Sequence, residues 1–98
     1  MARLWTYGTW VVKPGSEPGF VEAWSRLARA AILAFDSERP VLLRDRDRPN
    51  TFKTFGAWPS IEAIDAFRAS DLFRDSVAEL KPLLESFEPM TLDEVDWA

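Results

Sequence analysis

The chain has 98 residues, a net charge of −4, and 47% hydrophobic and 29% charged residues, which is the size and composition of one globular domain. It contains no cysteine and no histidine, which excludes disulfides, thiol nucleophiles, and zinc or haem sites with nitrogen or sulfur ligands. The negative charge and the scattered basic residues argue against nucleic-acid binding. The longest apolar run, residues 30–35, is too short to cross a bilayer, so we expect a cytoplasmic protein with no membrane association.

The first predicted element is a β-strand over residues 3–13, in which apolar residues occupy both faces. One face carries Trp5, Tyr7, Thr9 and Val11, and the other carries Leu4, Thr6, Gly8, Trp10 and Val12. A sheet with one face in water would show polar residues at every second position, so this strand is predicted to be covered on both sides. One layer of helices can cover only one of them.

A helix, a hairpin and a second helical region follow along the chain. The helix begins after the turn at residues 14–16, and its apolar face carries Phe20, Trp24, Leu27, Ala28 and Ala31. Strands over residues 40–44 and up to Trp58 are predicted to pair around the polar stretch 45–50, whose alternating arginines and aspartates are typical of a solvated hairpin tip.

Pro59 ends the hairpin's second strand, and Ser60 is predicted to cap the next helix. Ser70 or Asp71 is expected to cap a further helical piece, which Pro82 ends or kinks. The last strand is predicted over residues 88–95. The order βαββαβ indicates a ferredoxin-like α+β fold, a four-stranded antiparallel sheet with helices on one face.

The second apolar face of the sheet needs a partner, and a two-fold homodimer that pairs sheet against sheet is the simplest closed solution. Either face of the first strand is compatible with this arrangement. The interface is expected to bury more than about 1,200 Å² in total.

The segment 55–74, FGAWPSIEAIDAFRASDLFR, carries a family resemblance. Its pattern of Trp58, Ser60, Glu62-Ala63, Phe67, Ser70 and Phe73 resembles the antibiotic biosynthesis monooxygenase family. The segments PGSEPGFVEAW, LLRDRDRPNTF and PMTLDEV extend the resemblance along the chain. It implies a single domain of this family over residues 1–98, and a dimeric α+β barrel in which each subunit keeps a pocket between its sheet and its helices.

The resemblance also implies an activity, namely cofactor-independent oxidation of a small aromatic or polycyclic phenol or quinol by molecular oxygen. Because an electron-rich phenolate can itself pass an electron to oxygen, the protein need only bind and desolvate the substrate and stabilise developing charge. No cofactor or metal is then expected, and the histidine with which the haem-degrading branch ligates iron is missing from the chain. The alternative is a non-catalytic small-molecule-binding or stress-response barrel whose own aromatics fill the pocket. A cavity of at least about 300 Å³ beside Trp58 would favour a ligand.

Three residues are candidate catalytic groups. The resemblance implies that Trp58 lines the pocket, and the alternative is a core residue between strand and helix. Thr54 lies four residues earlier on the same strand face, where oxygenases of the family have an asparagine that holds the substrate oxygen; a threonine can donate one hydrogen bond there. Tyr7, the only tyrosine, can donate a proton or hydrogen bond, and the alternative is an aromatic at the dimer face. The candidate ligand-binding residues are Trp24, Phe67 and Phe73. Their helical spacing is more usual for core residues, so at most one or two of them are expected to contact a ligand.

Overall fold

A computed structural model, which describes residues 3–98, shows a four-stranded antiparallel sheet with helices against one face. The elements are β1 (Leu4–Val12), α1 (Glu17–Phe35), β2 (Val41–Arg44), β3 (Thr51–Trp58), α2 (Ile61–Arg68), α3 (Asp71–Leu80) and β4 (Leu84–Asp93), with one 3₁₀ turn at Lys81–Leu83. The strand order is β2-β3-β1-β4. The predicted ferredoxin-like α+β fold is confirmed, with its second helical region divided into α2 and α3.

The predicted bounds of the last strand, residues 88–95, are wrong. The strand begins four residues earlier, at Leu84, and ends at Asp93. Leu84 pairs with Val12 and Phe87 with Trp10, so the early residues belong to the sheet. Glu85 and Ser86 interrupt the apolar alternation, which hides this part of the strand in the sequence. The 3₁₀ turn at Lys81–Leu83 connects α3 directly to β4.

Serine caps fix the starts of the two helices that follow β3. Ser60 Oγ accepts a hydrogen bond from the Ala63 amide at 3.2 Å, and Ser70 Oγ accepts one from the Phe73 amide at 3.2 Å. Each cap of this kind stabilises its helix by about 1 kcal/mol. Ser70, and not Asp71, is therefore the cap of α3. No helix within residues 3–98 is both long and apolar enough to cross a membrane.

The hydrophobic core lies between α1 and one face of the sheet. Trp10 of β1 is buried beside Phe20 of α1 and Phe52 of β3, and its ring stacks on Phe87 with centroids 3.8 Å apart. Val12 is also fully buried here. The even-numbered positions of β1 therefore face the helices.

The other face of the sheet has no layer over it in the single chain. A row of four apolar side chains crosses all four strands on this face, because Val41 pairs with Phe55, Phe55 with Tyr7, and Tyr7 with Met90. Val41 is 47% exposed and Met90 50% exposed. The face that lacks a partner is thus the one that carries Trp5, Tyr7, Thr9 and Val11; we call it the open face.

Candidate active site

A cavity of about 440 Å³ lies between the helices and the sheet. Its floor is built from two cross-strand pairs of small residues, Thr6 with Gly56 and Gly8 with Thr54. A Cβ atom on Gly8 would lie 2.9 Å from both Thr54 Oγ1 and Trp10 Nε1, closer than van der Waals contact allows. The space therefore exists because β1 and β3 place small residues where large ones would fill the layer.

Two tryptophans bound the floor, and each donates its indole N–H to a threonine. Trp10 Nε1 donates to Thr54 Oγ1 at 3.0 Å, and Trp58 Nε1 donates to Thr6 Oγ1 at 3.1 Å. These bonds satisfy the only polar atom of each ring and fix its orientation.

The hydroxyl groups of Thr6 and Thr54 differ in whether they donate a hydrogen bond of their own. Thr6 Oγ1 donates to the Gly56 carbonyl at 3.4 Å, so its donor is already used. The Thr54 hydroxyl accepts from Trp10 and has no acceptor for its proton among residues 3–98. Thr54 is therefore the floor residue whose donor is free to bind an oxygen atom placed in the cavity.

An aromatic cluster forms the wall beside Trp58. The ring of Phe67 in α2 lies 5.1 Å from that of Trp58, 5.1 Å from that of Phe73 and 5.5 Å from that of Phe35, centroid to centroid. The Phe35 and Phe73 contacts are edge-on, as aromatic pairs prefer. Phe67 of α2 thus contacts Trp58, Phe35 at the end of α1 and Phe73 near the start of α3.

All six predicted site residues border this one cavity: Trp58, Thr54, Trp24, Phe67, Phe73 and also Tyr7. Trp58 is only 5% exposed, so it is a core residue and a wall residue at once, and the two alternatives describe the same side chain. That any of the six contacts a ligand or takes part in catalysis stays a prediction.

The ring of the sixth residue, Tyr7, lies on the open face of the sheet. Its ring meets Phe55 edge-on at 5.0 Å, and Lys53 Nζ lies 5.8 Å from the ring centroid, both on the open face. Tyr7 is among the residues that border the cavity. Because neighbouring residues of a strand point to opposite faces, its side chain points away from those of Thr6 and Gly8. The sheet therefore separates its hydroxyl from Thr54 and Trp58.

Several lining residues are not among the sequence candidates. They include Thr6, Gly8 and Gly56 of the floor, Trp10 beside it, and the charged residues Glu38 and Arg68. The parity of β1 already groups Thr6, Gly8 and Trp10 on one face, but their role depends on the register between β1 and β3. Glu38 lies outside the helices and strands and Arg68 ends a helix, so only the tertiary arrangement brings them to the cavity.

The charged groups of the cavity lie at its solvent-exposed rim. Glu38 is the only carboxylate among the described lining residues, and its Oε2 lies 2.6 Å from Arg3 Nη1. Within residues 3–98, no cluster of three His, Cys, Asp or Glu side chains is placed to hold a metal ion. The arrangement can hold a flat apolar molecule, exclude water from it and donate a hydrogen bond to one of its oxygens.

Comparison with solved structures shows the same fold in proteins of low sequence identity. A provisionally named antibiotic biosynthesis monooxygenase of Caulobacter crescentus superposes with a TM-score of 0.89 at 18% identity, over 97% of this chain and 92% of that one. Rv0793 of Mycobacterium tuberculosis gives a TM-score of 0.84 at 17% identity, over 98% of both chains. An asparagine-to-alanine mutant of SnoaB, a cofactor-independent oxygenase of Streptomyces nogalater, gives 0.82 at 22% identity, over 92% of this chain and 90% of that one.

At these identities the structural likeness establishes the fold alone. A search of curated proteins gives no significant match. The sequence model of one family, antibiotic biosynthesis monooxygenase, matches residues 7–79. The match runs from β1 almost to the end of α3, so it includes the aromatic wall of the cavity and every floor residue except Thr6. The chain therefore belongs to the antibiotic biosynthesis monooxygenase family.

Proposed function

We propose that this protein is a cofactor-independent monooxygenase that oxidises a small aromatic or polycyclic phenol or quinol inside the cavity. The observation that carries the proposal is the cavity beside Trp58. Its volume of about 440 Å³ lies in the range of small-molecule sites, which begins at about 300 Å³. Family membership and the similarity in fold to SnoaB support the choice of reaction.

The reaction balances without a resident redox group, because the substrate supplies the electrons. With an anthrone as the example, one oxygen atom of O₂ replaces two hydrogens on the central carbon, and the other leaves with them as water. The organic product is the quinone. Loss of a proton from the substrate comes first, since the resulting anion is the species that passes an electron to oxygen.

The described residues can favour that anion in two ways. The free Thr54 hydroxyl can donate a hydrogen bond to the substrate oxygen on which negative charge develops. The rings of Trp58, Phe67 and Phe73 provide apolar walls that keep water away from the anion. In such an environment a single correctly placed donor contributes more than it would in water.

A second candidate function is binding without turnover, and the charge distribution of the rim favours it. Glu38 is already paired with Arg3, so the described lining residues offer no free carboxylate to take the substrate proton. Catalysis then requires that water or hydroxide accept this proton, whereas binding requires no acceptor. The two functions differ in one observable, which is oxygen consumption.

We further propose that a second copy of the chain covers the open face and completes a homodimeric barrel. The exposed apolar residues of this face support the proposal, because a soluble monomer would rarely present such a row to water. The open face lies behind the floor of the cavity, so the dimer contact and the cavity use opposite sides of the same strands.

Oxygen uptake measured with exhaustively chelated and dialysed protein tests the proposal. Anthrone is added as the substrate, and the rate with heat-denatured protein is subtracted. We expect one O₂ consumed for each anthraquinone formed, with no stimulation by metal, flavin or haem. Trp58→Phe should lower turnover and leave the fold intact, because the smaller ring still fills the strand end but holds the substrate differently.

Two other outcomes change the conclusion. Saturable binding of anthrone and other phenols without oxygen consumption supports the binding protein. Activity that disappears on chelation and returns with a metal contradicts the cofactor-independent reaction.

A further inference from the structure

The rim of the cavity carries a cation without a charged partner. Arg68, the last residue of α2, lines the cavity and is exposed to solvent. Its Nη2 donates to Thr91 Oγ1 of β4 at 3.3 Å, so the side chain crosses from the helix layer to the sheet at the rim. No carboxylate within residues 3–98 forms an ion pair with it. Most of its five N–H donors therefore have no acceptor among the described residues.

The other charged residue of the wall is compensated. The carboxylate of Glu38 lies 2.6 Å from Arg3 Nη1, and Arg3 Nε lies 3.6 Å from Glu94 Oε1. Arg3 therefore pairs with Glu38 at the rim and with Glu94, which is outside the cavity lining. In a chain whose net charge is −4, the guanidinium of Arg68 is left as an uncompensated positive group beside an apolar cavity.

We propose that Arg68 binds a carboxylate carried by the aromatic ligand. The inference rests on the proposed function, and it narrows the ligand class to planar phenols or quinols that bear an acid group at one edge. The ring would lie among the aromatic walls and the carboxylate would reach the rim. A guanidinium presents paired donors that match the two oxygens of a carboxylate, which makes it selective for this group over a neutral amide of the same shape.

The contribution of the carboxylate to binding can be measured with two probes of nearly equal shape, the anion 2-naphthoate and the neutral 2-naphthamide. Calorimetric titration at low salt should show that the wild-type protein binds 2-naphthoate about five- to tenfold more tightly, and the preference should shrink as salt is added. Arg68→Gln should remove the preference and leave 2-naphthamide affinity within about twofold, since it removes only a rim charge. Arg68→Lys should retain part of the preference, because it keeps the charge but loses the paired donors.

Arg74→Gln is the matched control. Arg74 is an exposed arginine of α3 that pairs with Asp71 at 3.0 Å and lies outside the cavity wall, so its removal should leave the preference unchanged. If 2-naphthamide binds the wild-type protein but 2-naphthoate binds no better, or if Arg68→Gln keeps the preference, the role of Arg68 is overturned while the aromatic site stands. If neither probe binds, the aromatic site and the role of Arg68 both fail.

Discussion

The two faces of the sheet differ in the size of their side chains and in whether another layer covers them. On the helix-covered face, Thr6 and Gly8 of β1 meet Gly56 and Thr54 of β3, and their small side chains leave a cavity inside a covered layer. On the open face, the positions between them carry large apolar side chains such as Tyr7 and have no cover in the single chain. The helix-covered face thus has small side chains at the cavity, whereas the open face has large apolar side chains and no layer over them in the single chain.

The proposed ligand site and the proposed dimer contact therefore depend on residues of opposite parity in the same strands. Because successive residues of a strand point to opposite faces, a substitution at an even position of β1 alters the cavity and one at an odd position alters the open face. Tyr7 and Gly8 are neighbours in sequence but lie on opposite faces. A substitution on one face should therefore leave the proposed function of the other face unchanged.

The largest effect is expected from a charge on the open face. Met90→Asp should convert the dimer to monomer or aggregate at micromolar concentration, because it strands an unpaired charge in the contact at a cost of about 3 to 5 kcal/mol. Sedimentation velocity measures the change. Leu33→Asp is the control: Leu33 is 86% exposed on α1, so its substitution should leave the dimer intact. If both variants and the wild-type protein all sediment as dimers, the contact lies elsewhere, and a monomeric wild-type protein would contradict the dimer itself.

The next largest effect is expected in the cavity, on the rate of oxidation. Thr54→Val should lower turnover about a hundredfold, because it removes the donor to the developing charge. Thr6→Val is a matched control. Each substitution removes the hydrogen-bond acceptor of one indole N–H, but only the Thr54 hydroxyl has a free donor to lose. Turnover of both variants on anthrone, with circular dichroism as a check of the fold, decides the point. Equal losses in the two would mean that the free donor has no special role.

A smaller effect is expected on stability. Gly8→Ala should lower the free energy of unfolding by about 1 to 3 kcal/mol, because the new methyl group clashes with Thr54 and Trp10 and disturbs their hydrogen bond. Gly19→Ala should instead raise it by about 0.5 kcal/mol, because Gly19 is in α1 and its added Cβ meets only Leu83 at 3.9 Å. Urea denaturation of both variants measures the difference. An unchanged free energy of unfolding for Gly8→Ala would show that Thr54 and Trp10 can move to accommodate the added methyl group.

The fold and most of the site follow from local patterns in the sequence. Alternation predicts β1, serine caps predict the starts of α2 and α3, and all six candidate residues border one cavity. The face to which Tyr7 points could not be assigned, because both parities of β1 are apolar and only the packing of α1 distinguishes them. The start of β4 was hidden by Glu85 and Ser86, and Arg68 reaches the cavity through the tertiary packing of α2.

The most direct test of the central claim, that the reaction takes place in the cavity on the helix-covered face, is to fill that cavity. Ala28 lines it from α1, and Ala28→Leu should abolish turnover of anthrone and binding of 2-naphthamide while the protein stays folded and dimeric. Ala78→Leu adds the same bulk at an exposed position of α3 outside the wall, and its turnover should match the wild type. Turnover by Ala28→Leu at the wild-type rate would contradict the account and place the reaction outside this cavity.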